Sequence, residues 1–521
     1  MSGDRKKIMW VDDEIEFLRS HIMFLETRGY SVTPVFNGDD ALHLLNQNPL
    51  GWDIVLLDEQ MPGKDGITTL KEIRVLSQDL PVVMVTKSEE EHLMDDALGR
   101  KIDAYLTKPV NPSQILSVCK KILDAHHMVS THSEREYISA IAGIRQMLST
   151  EMSATKWTRL YNELVHWDFE IEAIDNETMR QSLAGQKSDC NKAFGDYIAD
   201  NYIGWINGKG SPPILSPQVV EKFVVPELHK NKKVYFIVCD CMRLDQYIGL
   251  EMLLKNFFTI QRHCFYSILP TSTAFARTAL FAGNYPLDIQ KEYPGLWKLP
   301  DNDGTISRYE RRMLFENIKR CGVDLPSSPR LLRLQDTADT HHACKMLHED
   351  SNELFTAMTV NFIDMLAHGR STSALLQEIA PDETAFRSLT RSWFRYSALL
   401  ELFKELSLQN CTIIFTTDHG SMLCTRSTEI FGASSLPARR RYKFGTAMDS
   451  DDSRTLFIDD PTLFKLPGYS ANTRCIIGRE NYYFVYPDKF ENYRRHYRNS
   501  FFHGGISMEE MIVPLAIMQP K

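Results

Sequence analysis

At roughly 100–200 residues per domain, a chain of 521 residues should hold three or four folded units rather than one. Hydrophobic residues make up 43% and charged residues 24%, the balance of ordinary soluble globular proteins, and a net charge of -9 argues against broad, non-specific binding to DNA. No apolar run approaches the ~20 residues needed to span a bilayer, and the start of the chain leads straight into a strand, so no membrane association and a cytoplasmic location are expected.

Residues 7–125 alternate short apolar runs with helical patterns: Lys7–Val11, Ser31–Val35, Ile54–Leu57, Val82–Val85 and Ala104–Leu106. Five strands separated by amphipathic stretches predict a doubly wound parallel sheet. From 126 to 208, apolar residues at helical spacing predict helices over 133–149, 153–176 and 178–205, read as a bundle. Gly208-Lys209-Gly210-Ser211-Pro212-Pro213 then breaks the chain. Beyond it, 209–521 returns to an α/β pattern, with strands expected at Val234–Val238, Phe265–Leu269, Met358–Ile363, Thr412–Thr416, Arg454–Ile458 and Tyr482–Tyr486. The ten cysteines form no C-x-x-C pair and read as reduced, Cys239 and Cys241 included.

In the first unit, chemistry-bearing residues fall at the strand ends. Asp12 and Asp13 follow the first strand and Asp58 the third; Thr86 ends the fourth, and Lys108-Pro109 follows the fifth. Strand ends of a parallel sheet converge, so three carboxylates, a hydroxyl and an ammonium group should share one crevice. Such a set suits Mg²⁺, with Asp58 as nucleophile toward phosphorus and Lys108 balancing charge. Helix capping by unconnected Asp residues is the alternative.

The segments Val-Asp-Asp-Glu, Leu-Leu-Asp-Glu-Gln-Met-Pro-Gly-Lys-Asp-Gly and Lys-Pro resemble the response-regulator receiver family over residues 5–125. That resemblance implies a flavodoxin-like fold, phosphorylation on Asp58 by a sensor histidine kinase and a cis Lys108–Pro109 bond. It also implies a switch in which Thr86 moves and Tyr105 swings inward. Phosphorylation adds about -1.5 to -2 charge, a change suited to drive homodimerisation.

No helix-turn-helix or basic recognition helix follows. The C-terminal region instead places metal-ligand residue types at strand ends: Asp240, Asp364 with His368, Asp418-His419, and His503 near the end of the chain. Three carboxylates and three imidazoles suit two divalent transition metals, Zn²⁺ or Mn²⁺. Two such ions clamp both oxygens of a phosphoryl displacement. Pro270-Thr271-Ser272-Thr273 opens a helical run to Gly283 and offers a hydroxyl nucleophile facing backbone N–H groups; an N-cap without chemistry is the plain alternative. Arg277, the run Arg439–Lys443 (with Arg440 and Arg441) and the run Tyr493–Arg498 (with Arg495) are candidate contacts for substrate phosphates, or solvated surface runs.

Val-Cys-Asp-Cys-Met-Arg, Pro-Thr-Ser-Thr-Ala-Phe-Ala-Arg-Thr-Ala-Leu-Phe-Ala-Gly, Asp-Met-Leu-Ala-His, Thr-Asp-His-Gly and His-Gly-Gly-Ile-Ser-Met-Glu-Glu-Met-Ile-Val-Pro resemble the PglZ branch of the alkaline phosphatase superfamily over about 235–515. Receiver, helical middle and PglZ domain together resemble the PorX-like response regulators, linked to type IX secretion. The resemblance implies one metal held by Asp364, His368 and His503. The other would be held by Asp240, Asp418, His419 and the nucleophile oxygen. The family places its nucleophile ten positions before a helix-end glycine, which selects Thr273, with Thr271 as runner-up.

The expected organisation is therefore a receiver (1–125), a helical-bundle linker (126–208) and an alkaline-phosphatase-like α/β domain (209–521). The expected function is a phosphorylation-controlled, zinc-dependent phosphodiesterase acting on nucleotides or oligonucleotides through a phosphothreonine intermediate. The rival expectation is a non-catalytic, metal-stabilised module that binds a regulator such as a sigma factor. Sulfatase chemistry is disfavoured by the absence of a C-x-P-x-R segment.

Overall fold

The computed structural model describes the chain apart from residues 1–4, 50, 78–79, 87–101, 175, 231, 295–307, 326–328, 350–352, 432–439, 447, 452, 469–471 and 487–496, and the side chains of 124–133 and 372. It comprises two compact units, Met1–Ser139 and Ala140–Lys521.

The first unit is a parallel sheet of β1 (Lys6–Val11), β2 (Tyr30–Val35), β3 (Ile54–Asp58), β4 (Val82–Thr86) and β5 (Ala104–Thr107), ordered β2-β1-β3-β4-β5. Both faces are covered, which is why the strands are apolar throughout rather than alternating. Met9, Val11, Val55, Leu57 and Met84 pack with α2 (Gly38–Gln47) and α3 (Gly66–Leu76), following α1 (Arg19–Glu26) in the chain. Ile8, Trp10, Ile54, Leu56 and Val85 pack on the opposite side with Leu25, Ile115 and Cys119. Asn37 and Asp65 cap α2 and α3 by accepting from Asp40 and Thr68 backbone N–H groups. From β1 the chain steps to β2 on one side and to β3 on the other, so a crevice opens at the carboxyl ends of β1 and β3. This is the flavodoxin-like fold expected from the sequence.

The helix predicted to start at 133 instead begins much earlier. One helix, α4, runs unbroken over Pro112–Leu148, because no Gly or Pro lies between Pro112 and Gly143 to stop it.

The second unit is built on a six-stranded sheet. β6 (Lys233–Cys239), β8 (Arg330–Leu334), β9 (Phe355–Val360) and β10 (Cys411–Thr416) run parallel in the order β10-β6-β9-β8. The C-terminal strand Ile512–Pro520 adds antiparallel to β10, and β7 (Phe258–Tyr266) pairs with its far side. Alternate residues of β6 feed two cores, Tyr235, Ile237 and Cys239 on one face and Val234, Phe236 and Val238 on the other.

Helices α5 (Ala154–Ile174) and α6 (Glu177–Ile206) belong to this unit. Trp157 of α5 packs edge-on against Phe194 of α6 at 5.2 Å, and Tyr266 of β7 donates to the Ala154 carbonyl at 2.9 Å. Two strand readings shift. The run expected at 265–269 is the end of a longer strand that stops at Tyr266, before a cis Leu269–Pro270 bond. The run expected at 358–363 stops at Val360, and the helix α8 (Phe362–Thr372) begins at once, so Asp364 lies in its first turn. No helix among the described residues is long and apolar enough to cross a membrane.

Candidate phosphoacceptor and metal sites

At the crevice of the first unit, carboxylate oxygens of Asp12, Asp13 and Asp58 all lie within 4.8 Å of one another. Asp12 and Asp58 are buried and Asp13 is exposed, so the cluster opens to solvent on one side. Lys108 Nζ donates to Asp58 at 2.8 Å and to Asp12 at 3.0 Å. Burial raises the Asp58 carboxyl above its ordinary value, although Lys108 works against that shift. Burial would lower the Lys108 ammonium, but its bonds to Asp58 and Asp12 prevail and hold it above the usual lysine value. Thr86 is buried at the end of β4, Lys108–Pro109 is cis, and the Tyr105 side chain is exposed. An oxygen-only cluster with a solvent-facing side fits Mg²⁺, which keeps several waters.

The second unit gathers its candidates at the carboxyl ends of β6, β9 and β10. Asp240 directly follows β6, and Asp418 and His419 lie just beyond β10. Asp364 and His368 sit four apart on α8 and so share a face. His503 follows the strand Ser500–Phe502, which is held against Met422–Cys424. Two clusters result, Asp364–His368–His503 and Asp240–Asp418–His419, each with ligand atoms within 4.8 Å. His368 Nε2 lies 3.3 Å from Asp364 and 3.1 Å from His503 Nε2. The rings of His419 and His503 stack at 4.5 Å and so join the two clusters.

The charge balance fits cations. Burial, and then the nearby Asp418 carboxylate, push Asp240 well above the ordinary carboxyl range. Burial acts the same way on Asp364, but His368, 3.3 Å away, and the adjacent His503 outweigh it and pull that carboxyl down. Asp418 is completely buried, and its Oδ2 has no hydrogen-bond partner. A buried, unsatisfied carboxylate oxygen is costly. Two O/N donor sets, each containing one such oxygen (Asp364 Oδ1 in one and Asp418 Oδ2 in the other), are suited to two divalent ions.

Thr273 is the first residue of α7 (Thr273–Ala282), after Ser272 at the N-cap, and α7 ends at Gly283, whose φ of +64° needs no Cβ. Thr273 Oγ donates to Asp240 Oδ1 at 3.2 Å and lies 3.2 Å from His419 Nε2. Thr271 and Ser272 are fully buried, whereas Thr273 is partly open. Thr271 Oγ donates to the Gly505 carbonyl at 2.8 Å and accepts from Gly504 N–H at 3.1 Å. Its hydroxyl therefore ties the loop before α7 to the loop after His503.

The arginine candidates divide. Arg277 is buried with its charge committed to Asp240 and Glu310, each at 2.8 Å. Arg441 corrects the expectation of a substrate contact: it is completely buried, pairs with Glu510 at 2.6 Å and donates to the carbonyls of Arg479, Glu480 and Tyr482. The Arg440 guanidinium lies 3.7 Å from the centre of the Tyr497 ring. Arg495 lies outside the described residues. Sequence reasoning missed Glu510, which accepts from Arg441, Gly505 and Ser507. Lys443, at the end of the run Arg439–Lys443, is buried, and that burial and then Arg440 bring its ammonium down to about 8. A run of basic residues carries no sign of which ones turn inward.

Residues 219–518, more than half of the chain, match the model of the BREX system PglZ alkaline phosphatase-like domain. The receiver-domain model matches 8–120 and the PorX response regulator linker domain 127–206. The chain is a PorX-like response regulator of the PglZ family. It is 39% identical over 119 residues to the transcriptional regulatory protein BaeR of Escherichia coli O6:H1, a match covering 22% of this chain and 48% of BaeR, so it spans about half of that relative. It is 34% identical over 171 residues to a CpxR homolog of Haemophilus influenzae, covering 32% of this chain and 70% of that protein. Similar solved structures include a CheY-like receiver protein of Methanospirillum hungatei, at 30% identity, with 23% of this chain and 96% of that one covered and a TM-score of 0.22. Another is the response regulator TrrA of Thermotoga maritima in complex with Mg²⁺-BeF, at 30% identity, 23% and 99% coverage and a TM-score of 0.21. A receiver domain implies a sensor kinase partner, and the PglZ domain a hydrolase of the alkaline phosphatase superfamily.

Proposed function

We propose that this regulator accepts a phosphoryl group on Asp58, with Mg²⁺ held by Asp12, Asp13 and Asp58, and that its PglZ domain hydrolyses nucleotide-type phosphodiesters. The observation carrying this reading is Thr273 Oγ, partly open at a helix N-terminus and within 3.2 Å of both Asp240 and His419.

Asp364, His368 and His503 would hold one divalent ion, and Asp240, Asp418, His419 and Thr273 the other, with Zn²⁺ favoured over Mn²⁺ by the imidazole share. Bound there, two such ions supply Lewis-acid stabilisation of charge on the phosphoryl oxygens. Thr273 acts as nucleophile. Its Oγ forms a bond to phosphorus as the bond from phosphorus to one nucleoside oxygen breaks, leaving the rest of the diester on Thr273. As that bond forms the hydroxyl proton leaves Oγ and, through solvent, ends on the departing nucleoside oxygen, because Asp240 and His419, each 3.2 Å from Oγ, would be engaged with the ion. Backbone N–H groups at the start of α7 favour the anionic group beside them. Water then adds to phosphorus, the Oγ–phosphorus bond breaks, and Thr273 is restored.

Cytoplasmic control of type IX secretion through phosphorylation-driven dimerisation completes the reading. Metal-loaded wild-type and Thr273→Ala chains should be compared on a chromogenic diester and on linear and cyclic dinucleotides. Equal rates would contradict the assignment of Thr273.

A further inference from the structure

We propose that α6 is a positioning element of the catalytic centre, and that Asn191 and Tyr202 are the positioning residues that set its loops. Lys187, Asn191, Phe194, Ile198 and Tyr202 recur at spacings of three and four, so they form one stripe along α6. The stripe is about 22 Å long at 1.5 Å per residue. Phe194 and Ile198 are completely buried, and beside these apolar contacts Asn191 and Tyr202 each grip a different loop, while Lys187 pairs with Asp168 of α5 and with Glu383.

Tyr202, 1% exposed and stacked on Phe464, accepts from the Leu269 N–H at 3.0 Å, four residues before Thr273. Asn191, also 1% exposed, accepts from Met508 N–H at 2.8 Å and donates to Glu509 at 2.9 Å. That turn lies five residues beyond His503. It also touches the other cluster, because Gly420, next to His419, donates to the Glu510 carbonyl at 3.1 Å. A Cβ on Gly420 would fall 2.0 Å from the Glu509 carbonyl oxygen, so only glycine permits this approach. Lys187 pairs with Glu383 at 3.0 Å, and Glu383 pairs at 2.9 Å with Arg243, three residues after Asp240.

One helix face thus holds the loops carrying Asp240, Thr273, His419 and His503. Because α6 lies in the stretch matched as the linker domain, the linker is built into the output site. The hydroxyl of Tyr202 and the amide of Asn191 are far more than packing requires. Leucine is close in shape to asparagine and phenylalanine to tyrosine, so what the native residues add is the polar atoms that act on the loops.

The test uses the full chain with two substitutions, Asn191→Ala and Tyr202→Phe, and a packing control, Ile171→Val, on the neighbouring helix α5. Zinc affinity and stoichiometry are read by competition with a chelator, and kcat and KM on a chromogenic diester; only the kinetic arm rests on the phosphodiesterase reading. Groups that orient metal ligands typically change affinity by about 10–100-fold. Asn191→Ala should weaken zinc binding about tenfold. Tyr202→Phe, which is nearly isosteric, should keep both zinc ions and lower kcat about tenfold at constant KM. Ile171→Val should lower the melting temperature and change neither zinc affinity nor kcat. The proposal is overturned if Asn191→Ala and Tyr202→Phe behave like Ile171→Val, or if the wild-type chain binds no zinc. A wild-type chain without diesterase activity removes the proposed function, while the zinc affinity of Asn191→Ala still decides for or against the positioning role.

Discussion

In the receiver unit, Asp12 and Asp58 share one ammonium group, Lys108, within 3.0 Å. In the PglZ unit, Asp240 is matched by Arg277, Asp364 by two imidazoles and Asp418 by His419, while Asp364 and Asp418 each keep a buried oxygen without a hydrogen bond. Each site thus sets one strong cation, Lys108 or Arg277, against three carboxylates, and only the second adds imidazoles. A built-in lysine suits a site that takes up a single phosphoryl group. A site with three added imidazoles suits resident transition-metal cations and repeated turnover.

The largest effect should come from the nucleophile. Thr273→Ala should lower diesterase kcat on the order of 10³-fold or more. A comparable loss in Thr271→Val with Thr273 intact would shift the nucleophile to Thr271. Next is Arg441→Ala. Leaving Glu510 buried and unpaired should cost about 3–5 kcal/mol, seen as a fall in denaturant midpoint. A rise in KM without loss of stability would return Arg441 to the substrate.

Metal addition sharpens the contrast between the two units. Zinc at a hundred times its Kd should stabilise the PglZ unit by about 2.7 kcal/mol. The same addition should leave hydrogen exchange in β1–β5 unchanged, and equal protection of both units would contradict a zinc preference of the PglZ unit. Thr271→Val should cost about 1–3 kcal/mol, because Gly504 N–H loses its acceptor, with both metal sites retained.

The smallest effect is a pH dependence. Burial acts to raise the Asp245 carboxyl, but Arg243 and then Arg387 outweigh it and hold the group well below its ordinary 3.8. A depressed carboxyl contributes stability that is present above 3.8 and is lost as pH falls toward its folded value. Each such group steepens acid unfolding by at most ~1.4 kcal/mol per pH unit. Asp245→Asn should flatten the acid limb below pH 4; an unchanged limb would place the acid sensitivity elsewhere.

The strand-end aspartates were legible because two independent patterns coincide there, an apolar run and a carboxylate just after it. Asp12, Asp58, Asp240 and Asp418 were all placed this way. The last strand, Ile512–Pro520, was not read, because Pro514 and Pro520 argue against a strand in the interior of a sheet. Its neighbours leave room for them: Pro514 takes no part as a donor, and its carbonyl accepts from Thr416 Oγ. Long-range partners were equally hidden. Arg441 finds Glu510 across 69 positions and Asn191 finds Glu509 across 318, and no local pattern in the sequence records either pairing.

Covalent catalysis by Thr273, in a site completed by divalent ions, is what the proposed function stands on. Metal-loaded protein turning over a dinucleotide should be quenched in acid and its peptides weighed. A nucleotidyl adduct on Thr273, absent without metal and in Thr273→Ala, is the expected result. Turnover with no adduct on Thr273, or with the adduct on Thr271, would contradict it.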